Sequence, residues 1–334
     1  MNITRRQALL SIPAIAALAQ TKSAIRVRSL SHATLTVSDR KRSVEFYQGL
    51  FGLPTQHRQG VSQGLRIGAG PQYISLSQGR PGAKPGIAHF CMTVDQFDID
   101  GAIKALATNG VTKSDPSPER AAMKTWVRMR GLDAGGDKDG TPEFYLGDPD
   151  GLNVQLADVT YCGGAGAKGN VCKPADPAPT KGLLAITDWS HFTLGVADRQ
   201  RSTDFYQSVF GMPIQAHQGA VPLLAVGNKR QFLTIGGVNG AQGAPSIAHG
   251  CFFMQNFDPG KVIKTLADYG IKHRGAASGP PAPLVSFISM RMPDRGGAPG
   301  GTPELYFTDP DGILMQIQDV TYCGGGGKLG EVCA

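Results

Sequence analysis

Beyond Ala19 the chain has no apolar run approaching the ~20 residues that a membrane-spanning helix requires, so no span is expected there. It has no run of Lys and Arg interleaved with aromatic residues, which argues against a nucleic-acid surface. It lacks strong charge of either sign: the formal excess of +7 over 334 residues is spread along the chain. Such an excess aids solubility or favours an anionic small substrate. What is present is a chain that is 41% apolar, enough for a packed core, with 45 glycines that suit a loop-rich sheet protein.

The first residues read as an export signal. A short basic start around Arg5 and Arg6 precedes an apolar stretch from Leu9 to Ala19, ending in the small-x-small site Ala17-Leu18-Ala19. The twin arginine is Tat-like, without the usual Phe and Lys after it; a Sec signal or an uncleaved anchor are the other readings. A signal over residues 1–19 places the mature protein in the periplasm. Cysteine usage agrees. Four of the six cysteines sit in two similar glycine-rich tails, Cys162 to Cys172 and Cys323 to Cys333. Local disulfides within each tail are expected, since an oxidising compartment preserves them. A cysteine metal site is the alternative, and it lacks a nearby second pair of thiolates. Cys91 and Cys251 remain, and read as small buried hydrophobes.

The chain is written twice, with an offset near 160 residues. Ser31-His32-Ala33-Thr34 answers to Ser190-His191-Phe192-Thr193, and Ile87-Ala88-His89 to Ile247-Ala248-His249. Gly140-Thr141-Pro142-Glu143 answers to Gly301-Thr302-Pro303-Glu304, and Asp158-Val159-Thr160-Tyr161-Cys162 recurs intact at Asp319 to Cys323. The repeat defines one domain over 28–172, a proline-rich and stiff linker over 173–182, and a second domain over 183–333. Within each copy the pattern divides again. A strand from His32 to Val37 precedes a helix capped by Asp39 and ended by Gly52, and then three short strands. The order restarts with a strand at 87–94, a helix over 99–109 and three strands ending at 125–130, 143–146 and 153–157. The fold class is α+β, built from four βαβββ modules.

The segment Phe144-Tyr145-Leu146-Gly147-Asp148-Pro149-Asp150-Gly151, with its repeat from Leu305 to Gly312, resembles the terminal strand-turn-strand of the vicinal-oxygen-chelate group, which includes glyoxalases, bleomycin-resistance proteins and extradiol dioxygenases. The resemblance covers both halves. It implies that paired modules curve into a cup holding one divalent metal, with ligands at His32, His89 and Gln155 in one half and at His191, His249 and Gln316 in the other. Two imidazoles and an oxygen donor leave positions for adjacent substrate oxygens or O₂. Fe or Mn is favoured, and Zn or Ni also fit. Strand parity agrees, because His32, Thr34 and Thr36 share one face while Ala33, Leu35 and Val37 share the other.

Relatives in this group usually place Glu where Gln155 and Gln316 stand, and the glyoxalase branch adds an acid on the strands at 73–77 and 232–235, where none occurs. Glu143 and Glu304 are the remaining cup-facing acids, as general base or replacement charge. Tyr145 and Tyr306 stand ten residues before the glutamines, a spacing similar to that of ring-cleaving dioxygenases. His57 and His217 read as a third repeated pair and as acid–base candidates. Arg130 and Arg291 also align, as solvated strand ends or an anion contact. The reading is a metal-dependent enzyme acting on a small molecule with adjacent oxygens: an extradiol-type dioxygenase, or a related isomerase or lyase. A metal-free exported binding protein is the alternative. Homo-oligomerisation is compatible with either.

Overall fold

The computed structural model describes residues 23, 25–114, 121–227, 230–238, 243–275 and 282–333. The expected signal at 1–19 lies outside them. The first half contains β1 (Val27–Val37), α1 (Arg40–Phe51), β2 (Thr55–Gln59), β3 (Ser62–Arg66) and β4 (Tyr73–Gln78). It continues with β5 (Gly86–Val94), α2 (Ile99–Ala107), β6 (Thr112–Lys113), β7 (Lys124–Arg130), β8 (Thr141–Gly147) and β9 (Asn153–Asp158). The second half repeats the order in β10 (Ile186–Val196), α3 (Arg199–Phe210), β11 (Ile214–Gln218), β12 (Val221–Ala225) and β13 (Phe232–Gly237). Its last module is β14 (Ser246–Met254), α4 (Pro259–Asp268), β15 (Lys272–His273), β16 (Val285–Arg291), β17 (Thr302–Thr308) and β18 (Leu314–Asp319). The four-module α+β organisation expected from the repeat is present, with a two-residue strand, β6 or β15, added to the second module of each half.

Local chemistry sets the element ends. The Asp39 carboxylate accepts the Arg42 N–H at the start of α1, and Gly52 closes it at φ 65°, where a side chain would be strained. Asp198 and Gly211 do the same for α3. Within each module the first strand lies beside the last in parallel, as β1 does on β4 and β5 on β9. The modules join where β1 runs antiparallel to β5. The sheet of the first half therefore runs β2-β3-β4-β1-β5-β9-β8-β7-β6. Ala33 and Leu35 of β1 and Phe90 and Met92 of β5 are fully buried on the apolar face. The opposite face carries His32 and His89.

The halves are not independent beads. Phe90 stacks on Phe192 at 5.2 Å, and Phe51 of α1 reaches Phe252 and Phe307 of the second half at 5.8 and 5.9 Å. The Trp189 indole donates to the Tyr73 carbonyl at 3.2 Å, and Gln231 accepts from Leu30 N–H at 2.9 Å. The two Asp-Pro-Asp-Gly turns act across this boundary. Tyr206 donates to Asp148 at 3.2 Å and Tyr47 to Asp309 at 3.4 Å, while Arg201 pairs with Asp150 and Arg42 with Asp311. Each turn reverses its own chain and also holds the first helix of the other half. The segment at 173–182 lies along the first half: Asp176 bridges to Thr55, and its carboxylate pairs with Arg58 at 2.7 Å.

Candidate metal centre

Register places the ligand candidates together. His32 lies opposite Cys91, His89 opposite Thr34, and Gln155 beside Cys91 on the neighbouring strand. Their polar ends converge: His32 Nε2 is 3.1 Å from Gln155 Oε1 and 3.4 Å from His89 Nε2. The other ring nitrogen of His32 meets Ser31 Oγ at 3.2 Å, which fixes the ring. In the second half His249 Nε2 is 3.1 Å from Gln316 Oε1 and 3.2 Å from Thr193 Oγ1, and the His191 ring lies 5.5 Å from that of His249.

The imidazoles are held neutral. Burial, then His89 and His57, keep His32 well below its ordinary value, and burial with His249 does the same to His191. Burial, then the Arg128 charge, lowers His89 to about 4, and burial lowers His249 to about 4. A neutral imidazole offers a lone pair, which is the form a metal takes.

This donor set fits a divalent ion. Bonds of about 2.1 Å from one centre put adjacent donors roughly 3.0–3.4 Å apart, the spacing of His32 Nε2 from Gln155 Oε1 and from His89 Nε2. The amide nitrogens of Gln155 and Gln316 are buried without a hydrogen-bond partner, so each amide is placed for its oxygen rather than as a satisfied donor–acceptor pair. Among the described residues no cluster of three or more His, Cys, Asp or Glu forms a metal site, so the set depends on the glutamine oxygen.

The acids lie elsewhere. Glu143 accepts from Arg130 Nε and Arg128 Nε at 2.8 Å each, from Tyr161 at 3.0 Å and from Tyr145 at 3.3 Å. Burial alone would raise its carboxyl, but Arg128 and Arg130 outweigh it and hold it low. With both oxygens committed it is neither a free base nor a ligand. Glu304 is held likewise by Arg291, Tyr322 and Tyr306 at 2.8, 3.0 and 3.3 Å. The arginines read as solvated strand ends are in fact buried, at 3% exposure for Arg130 and 0% for Arg291. Each also ties down its glycine tail: Arg130 donates to Gly164 O at 2.6 Å and Arg291 to Gly325 O at 2.9 Å. Those tails carry the Cys162–Cys172 and Cys323–Cys333 disulfides, and Cys91 and Cys251 are free and buried.

Tyr145 sits edge-on to His89 at 5.3 Å and Tyr306 to His249 at 5.3 Å, each with its hydroxyl turned to the glutamate. His57 lies beside Tyr73 at 4.5 Å, near His32, where burial and then Arg130 lower it to about 4. His217 is not its counterpart. Register aligns His57 with Ala216 and His217 with Arg58, so His217 is exposed on the other face of its strand. The two histidines resemble each other in sequence but differ by one residue, and in a strand one residue reverses the face.

Sequence reasoning missed four cup groups. Tyr73 stacks on His32 at 4.3 Å, Tyr161 stacks near it at 5.6 Å, Trp126 stacks on Tyr145 at 5.7 Å, and Arg128 reaches Glu143. Tyr161 carried a signal, since its pentapeptide recurs intact.

Acid should destabilise the metal-free protein. His57, His89 and His249 stay neutral in the fold down to about 4 but titrate near 6.5 when unfolded. Their stabilisation is whole above pH 6.5 and is lost as pH falls towards 4, on the order of 3 kcal/mol for buried His249. Asp148 and Asp309, raised by burial to about 6, act oppositely over part of this range but are fewer. Urea midpoints after chelation should therefore drop between pH 7 and 4.5; a constant or rising midpoint would contradict the neutral-histidine site.

These strands and cup define a vicinal-oxygen-chelate fold. Residues 29–156 match the model of the Glyoxalase/Bleomycin resistance protein/Dioxygenase superfamily. The chain is 26% identical over 165 residues to glutathione transferase FosA of Serratia marcescens, spanning 48% of this chain and 98% of that protein. Its fold is similar to the Mn(II)-bound glyoxalase of Novosphingobium aromaticivorans, with TM-score 0.57 and 16% identity over 88% of this chain and 82% of that one. It is also similar to homoprotocatechuate 2,3-dioxygenase of Brevibacterium fuscum in complex with 3,4-dihydroxyphenylacetate, with TM-score 0.58 and 15% identity over 89% and 82%.

Proposed function

We propose that the protein is an exported metal-dependent enzyme acting on a small molecule with two adjacent oxygens, with ring-opening dioxygenation of a catechol as its most concrete form. The observation that carries this reading is that Gln155 Oε1 and His89 Nε2 both lie within 3.4 Å of His32 Nε2. A divalent ion held there would act as a Lewis acid towards the paired oxygens. The second half would hold its ion through His191, His249 and Gln316. The family relationship and the solved neighbours, one of them bound to Mn(II) and another to a catechol acid, support the class of reaction.

The chain's own residues do the rest. Ser31 and Tyr73 fix the His32 ring, so the donor does not reorganise on binding. The Arg128–Glu143–Tyr145 chain sets the tyrosine ring against His89. His57 is neutral near pH 7, with both ring nitrogens buried, and it packs against Tyr73 as a wall of the site rather than as its base. Tyr73, Tyr161 and Tyr145 surround the first pair of histidines. His32 is buried and His89 only half-buried, so a substrate approaches from the His89 side.

The test is oxygen uptake and ring-opening absorbance with catechols, after anaerobic loading with Fe(II) or Mn(II). Turnover is expected in the loaded protein, with a drop of about 10²-fold or more in His89→Ala, since loss of even an outer-shell partner costs 10–100-fold. No turnover of catechols or of α-hydroxy carbonyls under either metal would reject the enzyme reading.

A further inference from the structure

The two cups share one plan but differ where register identifies matching positions. His57 faces Gly64 across β2 and β3, and Ala216 faces Leu223 at the same place in the second half. Bulk has changed strands. A Cβ on Gly64 would lie 2.2 Å from the His57 ring, so the imidazole fills the room that Leu223 takes in the other cup. Both side chains press on the same glycine of the disulfide tail: a Cβ on Gly163 would meet His57 at 2.4 Å, and one on Gly324 would meet Leu223 at 2.1 Å. The ring under the first histidine changes from Tyr73 to Phe232. In the first floor His57 adds a polar ring beside the Tyr73, Cys91, Ala157 and Tyr161 cluster; in the second, Leu223 and Phe232 pack with Phe253 and Tyr322 and no imidazole takes that place.

Charge differs in the same sense. Arg128 faces Glu143, while Ser289 faces Glu304. Among the described residues two guanidiniums pair with the carboxylate of the first cup and one with that of the second. The surplus is at the mouth, because the Arg128 side chain is 56% exposed and lies 5.9 Å from the Tyr145 ring. In the second half Arg274, just past edge strand β15, stacks on Phe287 at 4.9 Å.

We infer that the cups have divided the work: the first is the reacting cup and selects a small ligand bearing an anionic group through Arg128, while the apolar-floored second cup maintains the fold. The word reacting rests on the metal-cup reading above; the anion selectivity does not. Tryptophan emission tests it, since Trp126 stands in the first cup against Tyr145, and Phe287 stands at the matching place in the second. The probes are 3,4-dihydroxybenzoate and catechol, titrated with and without Mn(II). Trp126 emission should respond to the acid at a concentration at least tenfold lower than to catechol. Arg128→Ser, the residue the second half tolerates there, should erase the difference, and Arg128→Lys should keep most of it; a purely structural role would not follow charge. A Trp126→Phe/Phe287→Trp variant, reporting from the second cup, should show no saturable response. Equal affinities at Trp126, no response there, a preference that survives Arg128→Ser, or saturation of the second reporter at the same concentration would each overturn the inference. Failure of Mn(II) to bind sinks the metal reading, whereas the acid-over-catechol comparison is still read on the metal-free protein.

Discussion

Replacing Arg130 with Met is expected to destabilise the protein by about 3–5 kcal/mol, because it leaves the Glu143 carboxylate buried without its inner partner. The side chains of Arg130 and Glu143 are 2% and 1% exposed, so water cannot take over. The same guanidinium holds Gly135 O at 2.7 Å and Gly164 O at 2.6 Å, so the disulfide tail should loosen as well. Adding Glu143→Gln should recover only part of the loss, because Arg128 still neutralises Glu143 in the single variant and loses its partner in the double one. Arg130→Lys should recover little, because one ammonium cannot serve three acceptors in a fixed fork. Denaturant midpoints check this. A loss under 1 kcal/mol in Arg130→Met would mean that the ion pair is not the keystone described.

Trp189→Ala carries the second large effect. Trp189 is fully buried and packs on Phe192 and Phe252 at 4.8 and 4.5 Å, and its indole N–H reaches across to Tyr73 in the first half. Truncating such a residue costs about 3–5 kcal/mol. Since the side chain belongs to both halves, the whole chain should melt earlier in one transition. Tyr73 also supports His32, so metal affinity in the first cup should fall with it. Two separated transitions, with only the later part of the chain affected, would show that the halves fold independently.

Much of the architecture was legible in the sequence because the duplication made each motif its own control. The strand-helix order, the Asp39 and Gly52 ends and the tail disulfides all rest on local chemistry that a sequence displays. The convergence of His32, His89 and Gln155 was legible through the family resemblance and strand parity. What the sequence hid depends on long-range partners. Arg130 looked like a solvated strand end because nothing local announces that Glu143 and Gly164 will close over it. The Asp-Pro-Asp-Gly turns looked like turns alone, since their clasp on Tyr206 and Tyr47 lies across the two halves. His217 was misjudged through a one-residue offset that only strand pairing exposes.

The central claim is that two neutral imidazoles and a glutamine oxygen hold a divalent ion. Elemental mass spectrometry of the protein, purified without chelators, tests it most directly, with the His32→Ala/His191→Ala double variant as control. One or two equivalents of Fe, Mn, Zn or Ni, lost in the variant, is the expected result. A wild-type protein that carries none, even after reconstitution, would contradict it.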